Sequence, residues 1–288
     1  MGGWSVKRSA KLLEPPTLTA YHTAQPGGTW NGMRDDPLDG GQQAYRDIKR
    51  TLLKAQRCLC AFCETKIADG TTNSQLDARK DEQRVEHFHP KSDKCQPPNW
   101  ALNWPNLWAV CLGGSRPNKQ IQEDVIYPLP ENLSCDAYKE YQVNAGELPV
   151  APEGWILAPD EIPAFPLLFQ YSPNGVPEPN QDNCASVTLP NNKYHDTITL
   201  VEKTVEHLNL GCSRLNRNRL MAKAKLEKAI TLARTRSPGA PPEVILLNLA
   251  RRYFSSDPNS AWCEFFSLIR WRLGATAEQH LQAIHFNG

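Results

Sequence analysis

The 288-residue chain has no apolar run long enough for a signal peptide or a membrane span, so a cytoplasmic location is expected. It also has no charge surplus. Thirty-two Lys and Arg face 31 Asp and Glu, a formal net charge of +1, so a general basic character does not announce a polyanionic partner and any basic footprint must be local. Internal repeats and low-complexity tracts are absent. The nine cysteines are an odd number, and in a reducing compartment a CxxC pair more often binds metal or does redox chemistry than forms a structural disulfide. Proline, by contrast, is abundant at 24 residues, which implies long ordered loops between the regular elements.

In chain order, residues 1–57 read as an N-terminal arm and helix. The arm is expected to be irregular apart from a short helix near Leu18–His22, anchored by Trp4, Tyr21 and Trp30, and the helix covers about 42–57 through Tyr45, Ile48, Leu52 and Ala55. Residues 58–145 hold the chemistry. Within them Arg84–Phe88 has strand character, and the spacing of Trp100, Trp104 and Trp108 favours helical turns around Asn106. An insertion spans 112–134, and a short helix follows at 136–142. Residues 146–195 form a proline-rich covering segment, with a hairpin at Ser172-Pro-Asn-Gly175. Residues 196–288 form a C-terminal helical region with helices at about 198–209 and 213–236, a third opened by Pro241-Pro242, and a fourth capped by Ser260.

Two ligand chemistries alternate between Cys60 and Lys139. Cys60-Ala-Phe-Cys63 has the spacing of a zinc knuckle, and Cys111 and Cys135 can complete a closed, structural four-thiolate site. The alternative is a set of buried, inert thiols. Glu86, His87, Asn106 and Asp136 form a hard, polar set. His87 can serve as a general base and Glu86 as a ligand for a divalent cation, against a plain surface strand carrying a solvated Glu and a stacked His. Asn106 is either a turn residue or the group that holds the loop opposite His87. Asp136 is either a helix N-terminal carboxylate or a second metal ligand. Arg214, Arg217, Arg219 and Lys223 begin a basic cluster that is either a solvated helix face, a phosphate footprint or a docking face for an acidic partner.

CxxC, Glu86-His87, Asn106-Leu107, Cys111 and Cys135-Asp-Ala-Tyr-Lys139 together resemble the zinc-bearing HNH endonucleases of ββα-metal fold. That resemblance implies an α+β, mainly helical chain with a ββα-metal core. It implies His87 as the base, Glu86 and Asp136 as ligands of a catalytic Mg²⁺ or Mn²⁺, Asn106 as the middle motif residue, and a structural Zn²⁺ on the four cysteines. Asp136 stands where the family usually has Asn or His, and the insertion splits the second knuckle. Lys91 and Lys139 are further candidates for touching phosphate. Leu208-Asn-Leu210, Leu215 and Arg219 extend the likeness to the HNH component of Septu-type antiphage systems, which also accompanies some retrons. An ATPase of the ABC/SMC kind, and a retron reverse transcriptase with its msDNA, are the partners so implied.

The expected function is metal-dependent hydrolysis of DNA or RNA phosphodiesters. The rivals are a non-catalytic, zinc-dependent nucleic-acid-binding or scaffold subunit, and an RNA-specific nuclease toxin acting on a target such as tRNA.

Overall fold

The computed structural model describes residues 8–93, 98–115 and 126–288. Trp4 and Cys95 lie outside the described residues. The fold is α+β and mainly helical, with two small antiparallel sheets.

The N-terminal segment is more helical than the sequence suggests. Helix α1 (Pro16–Ala24) opens on a proline at its first position, where no backbone N–H is lost. Helix α2 (Trp30–Asp35), which was not expected, is capped by the Thr29 side chain, which accepts from the Gly32 N–H. Both pack on α3 (Gly41–Ala55), whose buried face carries Ala44, Ile48, Leu52 and Leu53. Leu18, Tyr21, Trp30 and Met33 join the same apolar core as the cysteine-bearing segment, so this arm helps to form that core.

A short helix α4 (Asn73–Asp77) is closed by a capping box between Thr72 and Gln75. Strand β1 (Gln83–His87) then pairs antiparallel with β2 (Leu107–Cys111), bringing His87 opposite Leu107 and Glu86 opposite Trp108. The tryptophan spacing is misleading here. Only Trp104–Asn106 form a helical turn, a single 3-10 turn, and Trp108 lies in β2. Tertiary burial decides: Leu107, Trp108, Ala109 and Val110 are all buried, as befits a strand covered on both faces. Helix α5 (Cys135–Asn144) packs on β2.

The chain after Gly146 folds over this unit. Strands β3 (Phe169–Tyr171) and β4 (Pro177–Pro179) form the expected hairpin, its turn closed by the Ser172 N–H donating to the Val176 carbonyl at 2.9 Å. Helix α6 (Gln181–Ala185) follows, then α7 (Thr197–His207) and the long α8 (Ser213–Arg236). Helices α9 (Pro242–Tyr253), α10 (Phe266–Leu273) and α11 (Ala275–Ala283) complete a second apolar cluster with Leu226 and Ile230 of α8.

The fourth C-terminal helix departs from expectation. It starts at Phe266, not after Ser260, so Trp262 and Phe265 precede it, and it breaks at Gly274. Its N-terminal donors are met by Glu64, whose carboxylate accepts from the Ser267 N–H at 2.9 Å and the Ser267 hydroxyl at 2.5 Å. A residue beside the knuckle therefore caps a helix about two hundred positions away. No helix among the described residues is long and apolar enough to cross a membrane.

Candidate active site and four-cysteine metal centre

The CxxC turn is fixed from both sides. The Cys60 N–H donates to the Thr65 carbonyl at 2.9 Å, and Glu64 turns the chain with a left-handed φ of 62°. Gln56, buried just after α3, clamps the turn to β2. Its amide donates to the carbonyls of Leu59 at 2.9 Å and Ala109 at 2.7 Å, while its oxygen accepts from the Ala109 N–H at 2.8 Å.

At the far end, Gly113 has φ +60°, and a Cβ there would lie 2.2 Å from the Ser134 carbonyl oxygen. Only glycine allows this close approach, which draws Cys111 and Cys135 together across the insertion. Cys135 itself is left-handed, with φ 57°, and its N–H donates to the Leu208 carbonyl at 2.8 Å.

The result is a sulfur quartet. Cys60 to Cys135 is 4.0 Å, Cys63 to Cys111 is 3.7 Å, and Cys111 to Cys135 is 3.8 Å, with all four sulfurs within 4.8 Å of one another. A tetrahedron of sulfurs about 2.3 Å from a central zinc has edges of about 3.8 Å, so the donor set and its spacing both fit that ion. Cys58 is buried outside the quartet, with φ 68° beyond the end of α3, not on that helix as its position suggests.

Burial pushes the Cys60 and Cys135 thiols up, whereas hydrogen bonds from Cys135, Cys60 and Cys63 hold Cys111 well below the usual thiol range. Metal uptake here must therefore release protons.

The polar set lies at the other end of the hairpin in two parts: Glu86 meets Asp136 and Lys139, while the His87 ring meets Trp30 and the Ala101 carbonyl. His87 is 7% exposed and stands edge-on to Trp30 at 4.6 Å, so it is a packed side chain and not a strand-surface imidazole. Its Nε2 lies 3.1 Å from the Ala101 carbonyl. A carbonyl only accepts, so Nε2 carries the proton and Nδ1 keeps the lone pair. Burial lowers the His87 pKa to about 4, which leaves the ring neutral at pH 7.

Asn106 fixes the loop that carries this carbonyl. Its oxygen accepts from the His89 N–H at 2.6 Å, and its amide donates at 2.9 Å to the carbonyls of His89 and of Trp100, the residue before Ala101. His89 is itself held between Glu153 at 2.7 Å and Asp93 at 2.9 Å and stacks on Trp100. It ties the covering segment to the β1 turn.

Glu86 and Asp136 meet on the side of α5, their carboxyl groups within hydrogen-bonding reach of each other. Burial pushes Glu86 well above the usual carboxylate range, Lys139 draws it back, and the Asp136 charge adds to the rise. Lys139 is buried. Its ammonium donates to Glu86 Oε1 and to the carbonyls of His87 at 3.3 Å and Phe88 at 3.2 Å. Arg84 Nε lies 2.6 Å from Asp136 Oδ2, yet neither its Nε nor its Nη2, both buried, makes a directed hydrogen bond.

A protein of Escherichia coli, named as a candidate HNH endonuclease of retron Ec83, is 33% identical over 219 residues, which span 74% of this chain and 78% of the relative. The chain belongs to the HNH endonuclease family. No family model matches it, and no solved structure matches it.

Arg84 of this HNH chain was not singled out by sequence, although alternation places it on the Glu86 face of β1. Lys139 was expected at phosphate, but its place three residues after Asp136 on α5 also signalled the carboxylate site. Gln56 and the Ala101 carbonyl carried no such signal.

The residues expected at phosphate divide. Lys139 is turned inward onto Glu86. Arg219, 3% exposed, donates to the Leu210 carbonyl at 2.6 Å, so its role here is structural. Arg214 donates to Ser134 Oγ at 2.8 Å. Burial works against its charge, but the sulfurs of Cys212, Cys111, Cys63 and Cys135 more than offset that. Arg217 and Lys91 are exposed, and Lys223 is half-buried with its ammonium 5.9 Å from the centre of the Trp271 ring.

Proposed function

We propose that this chain is a metal-dependent endonuclease that hydrolyses phosphodiester bonds of DNA or RNA, with a ββα-metal core built from β1, β2 and α5. The observation that carries the reading is the hydrogen bond from His87 Nε2 to the Ala101 carbonyl, which leaves Nδ1 a neutral, lone-pair nitrogen on the residue that follows buried Glu86, with the Asp136 charge acting on the ring. His87 then takes a proton from the attacking water, and the imidazolium that forms is favoured by Asp136, which raises its pKa, against Lys91 and Lys139. Asn106 holds the ring's acceptor loop in place. Exposed Arg217 and Lys91 are left to meet phosphates.

Glu86 and Asp136 supply hard oxygen donors in mutual contact, which fits Mg²⁺ or Mn²⁺. Bound there, such an ion supplies charge stabilisation for the scissile phosphate and the leaving oxygen. Zinc on the four cysteines has no open position, so its part is to hold the frame.

The test is cleavage of plasmid, single-stranded DNA and total RNA, with and without Mg²⁺ or Mn²⁺, by the wild-type chain and by His87→Gln. A positioned general base contributes roughly 10²–10⁴-fold, and His87→Gln should lose a factor in that range. Wild-type cleavage by folded His87→Gln would end the assignment.

The cellular role is the effector of an antiphage system working with an ABC/SMC-type ATPase. Its supports are the Septu-like motifs and the retron in the relative's name. The sequence divides into four regions with boundaries near 57, 145 and 195, although the apolar clusters cross them, and residues 200–288 or the N-terminal arm supply the docking surface for the ATPase. The non-catalytic scaffold reading rests on one observation, that Arg84 and Lys139 already pair with both carboxylates. Metal-independent binding with no cleavage of any substrate would favour it.

A further inference from the structure

The metal-free carboxylate pair already has its counter-ions. Glu86 is 7% exposed and Lys139 is 7% exposed, so their ion pair is shielded from solvent. Asp136 is 9% exposed and takes the Arg84 guanidinium. Two negative and two positive side chains thus balance within one cluster. A divalent cation added alone to this balanced cluster leaves it strongly positive in a poorly solvated place, which opposes binding.

The cluster also has an unused donor. Arg84 Nη2 is buried and has no hydrogen-bond partner, whereas Nε is held in the ion pair with Asp136 at 2.6 Å, and the Arg84 side chain is 31% exposed. Buried N–H groups left unmade cost free energy, and a guanidinium matches the oxygens of a phosphodiester. The incoming nucleic acid carries the negative charge that the loaded site lacks.

We propose that divalent cation and nucleic-acid phosphate load this site cooperatively, with Arg84 as the phosphate-receiving donor and Lys139 as the internal counter-ion that the cation must displace from Glu86. The proposal rests on the endonuclease reading for the position of the phosphate. Lys139 stays anchored by the carbonyls of His87 and Phe88 when it releases Glu86, so the exchange needs no unfolding of α5. Without substrate the site stays weakly loaded.

The experiment uses full-length His87→Gln, which protects the nucleic acid during measurement. Mn²⁺ affinity is measured by titration calorimetry for the protein alone, and with a saturating short DNA duplex, DNA single strand or RNA single strand in separate arms. Whichever nucleic acid binds should tighten Mn²⁺ on the order of tenfold, and Mn²⁺ should tighten that nucleic acid by the same factor. Adding Arg84→Met should bring the factor close to one. Adding Lys139→Met should tighten Mn²⁺ for the protein alone.

Equal Mn²⁺ affinity with and without bound nucleic acid overturns the proposal, as does coupling that survives Arg84→Met. The primary comparison needs neither extra substitution, so misfolding of Lys139→Met cannot shelter the idea. Coupled loading by a chain whose wild type cleaves neither DNA nor RNA would sink the endonuclease reading and leave the loading intact. Cleavage without coupling would do the reverse, and a chain that binds no Mn²⁺ under either condition sinks both.

Discussion

Asn106→Ala removes the three hydrogen bonds that hold the loop across from β1, made with the His89 N–H at 2.6 Å and with the carbonyls of His89 and Trp100 at 2.9 Å. Asn106 is 5% exposed, so water does not readily take its place. At about 1 kcal/mol for each bond the loss comes to about 3 kcal/mol. A melting entropy of about 2.1 cal/mol/K per residue, taken over the chain, gives about 0.6 kcal/mol/K, so the melting temperature should fall by about 5 °C. Asn106→Asp should be worse than Ala, because it turns a carboxylate toward two carbonyl oxygens that had accepted from the amide. Because the Trp100 carbonyl precedes the Ala101 carbonyl that orients His87, cleavage by Asn106→Ala should drop by more than its folded fraction does. Calorimetric melting and single-turnover cleavage well below the transition would measure the two effects separately. A melting temperature within about a degree of wild type would refute the claim that Asn106 holds this loop.

Cys135→Ser should lose zinc and lower thermal stability together, since structural zinc contributes folding free energy directly, and metal analysis beside a melting curve checks it. The folded-state pKa of His87, about 4, lies below the ordinary value of 6.5. The unfolded chain therefore binds the extra proton between those values, and stability fully present above pH 6.5 should be lost as pH falls toward 4, by about 3 kcal/mol. Urea unfolding at pH 7 and pH 4.5 should show that slope in wild type and a smaller one in His87→Gln; equal slopes would contradict the buried neutral ring. Arg214→Glu should destabilise the protein and its metal centre, whereas exposed Arg217→Glu should leave the melting temperature unchanged and weaken only polyanion binding, read by melting and by salt-dependent binding.

Local chemistry was legible in the sequence. The CxxC spacing marked one turn bearing two thiols, and an apolar period of 3.6 marked α3, because these signals depend on neighbours within a few residues. The choice of Cys111 and Cys135 was open to sequence only through their placement around the insertion, and the sulfur quartet brings them to Cys60 and Cys63. Cys58 shows the limit of such reading, since the helix ends at Ala55 and the left-handed Arg57 and Cys58 turn the chain away from it. The tryptophan spacing of four marked the helical turn at Trp104–Asn106 but reached past it to Trp108, where burial on both faces made a strand.

Tertiary structure alone decided the electrostatics. Lys139 and Arg214 have the composition of phosphate-binding residues, but packing turns one onto Glu86 and the other toward the cysteine sulfurs. Likewise the sequence contains Glu64 and Ser267 without relation, and the fold makes one the cap of the other's helix. The sequence determined which thiols, carboxylates and imidazoles the chain possesses. Which charges neutralise one another, and which nitrogen of His87 keeps its lone pair, follow from contacts between residues far apart in the chain, because burial and a fixed acceptor set both and neither is written in local spacing.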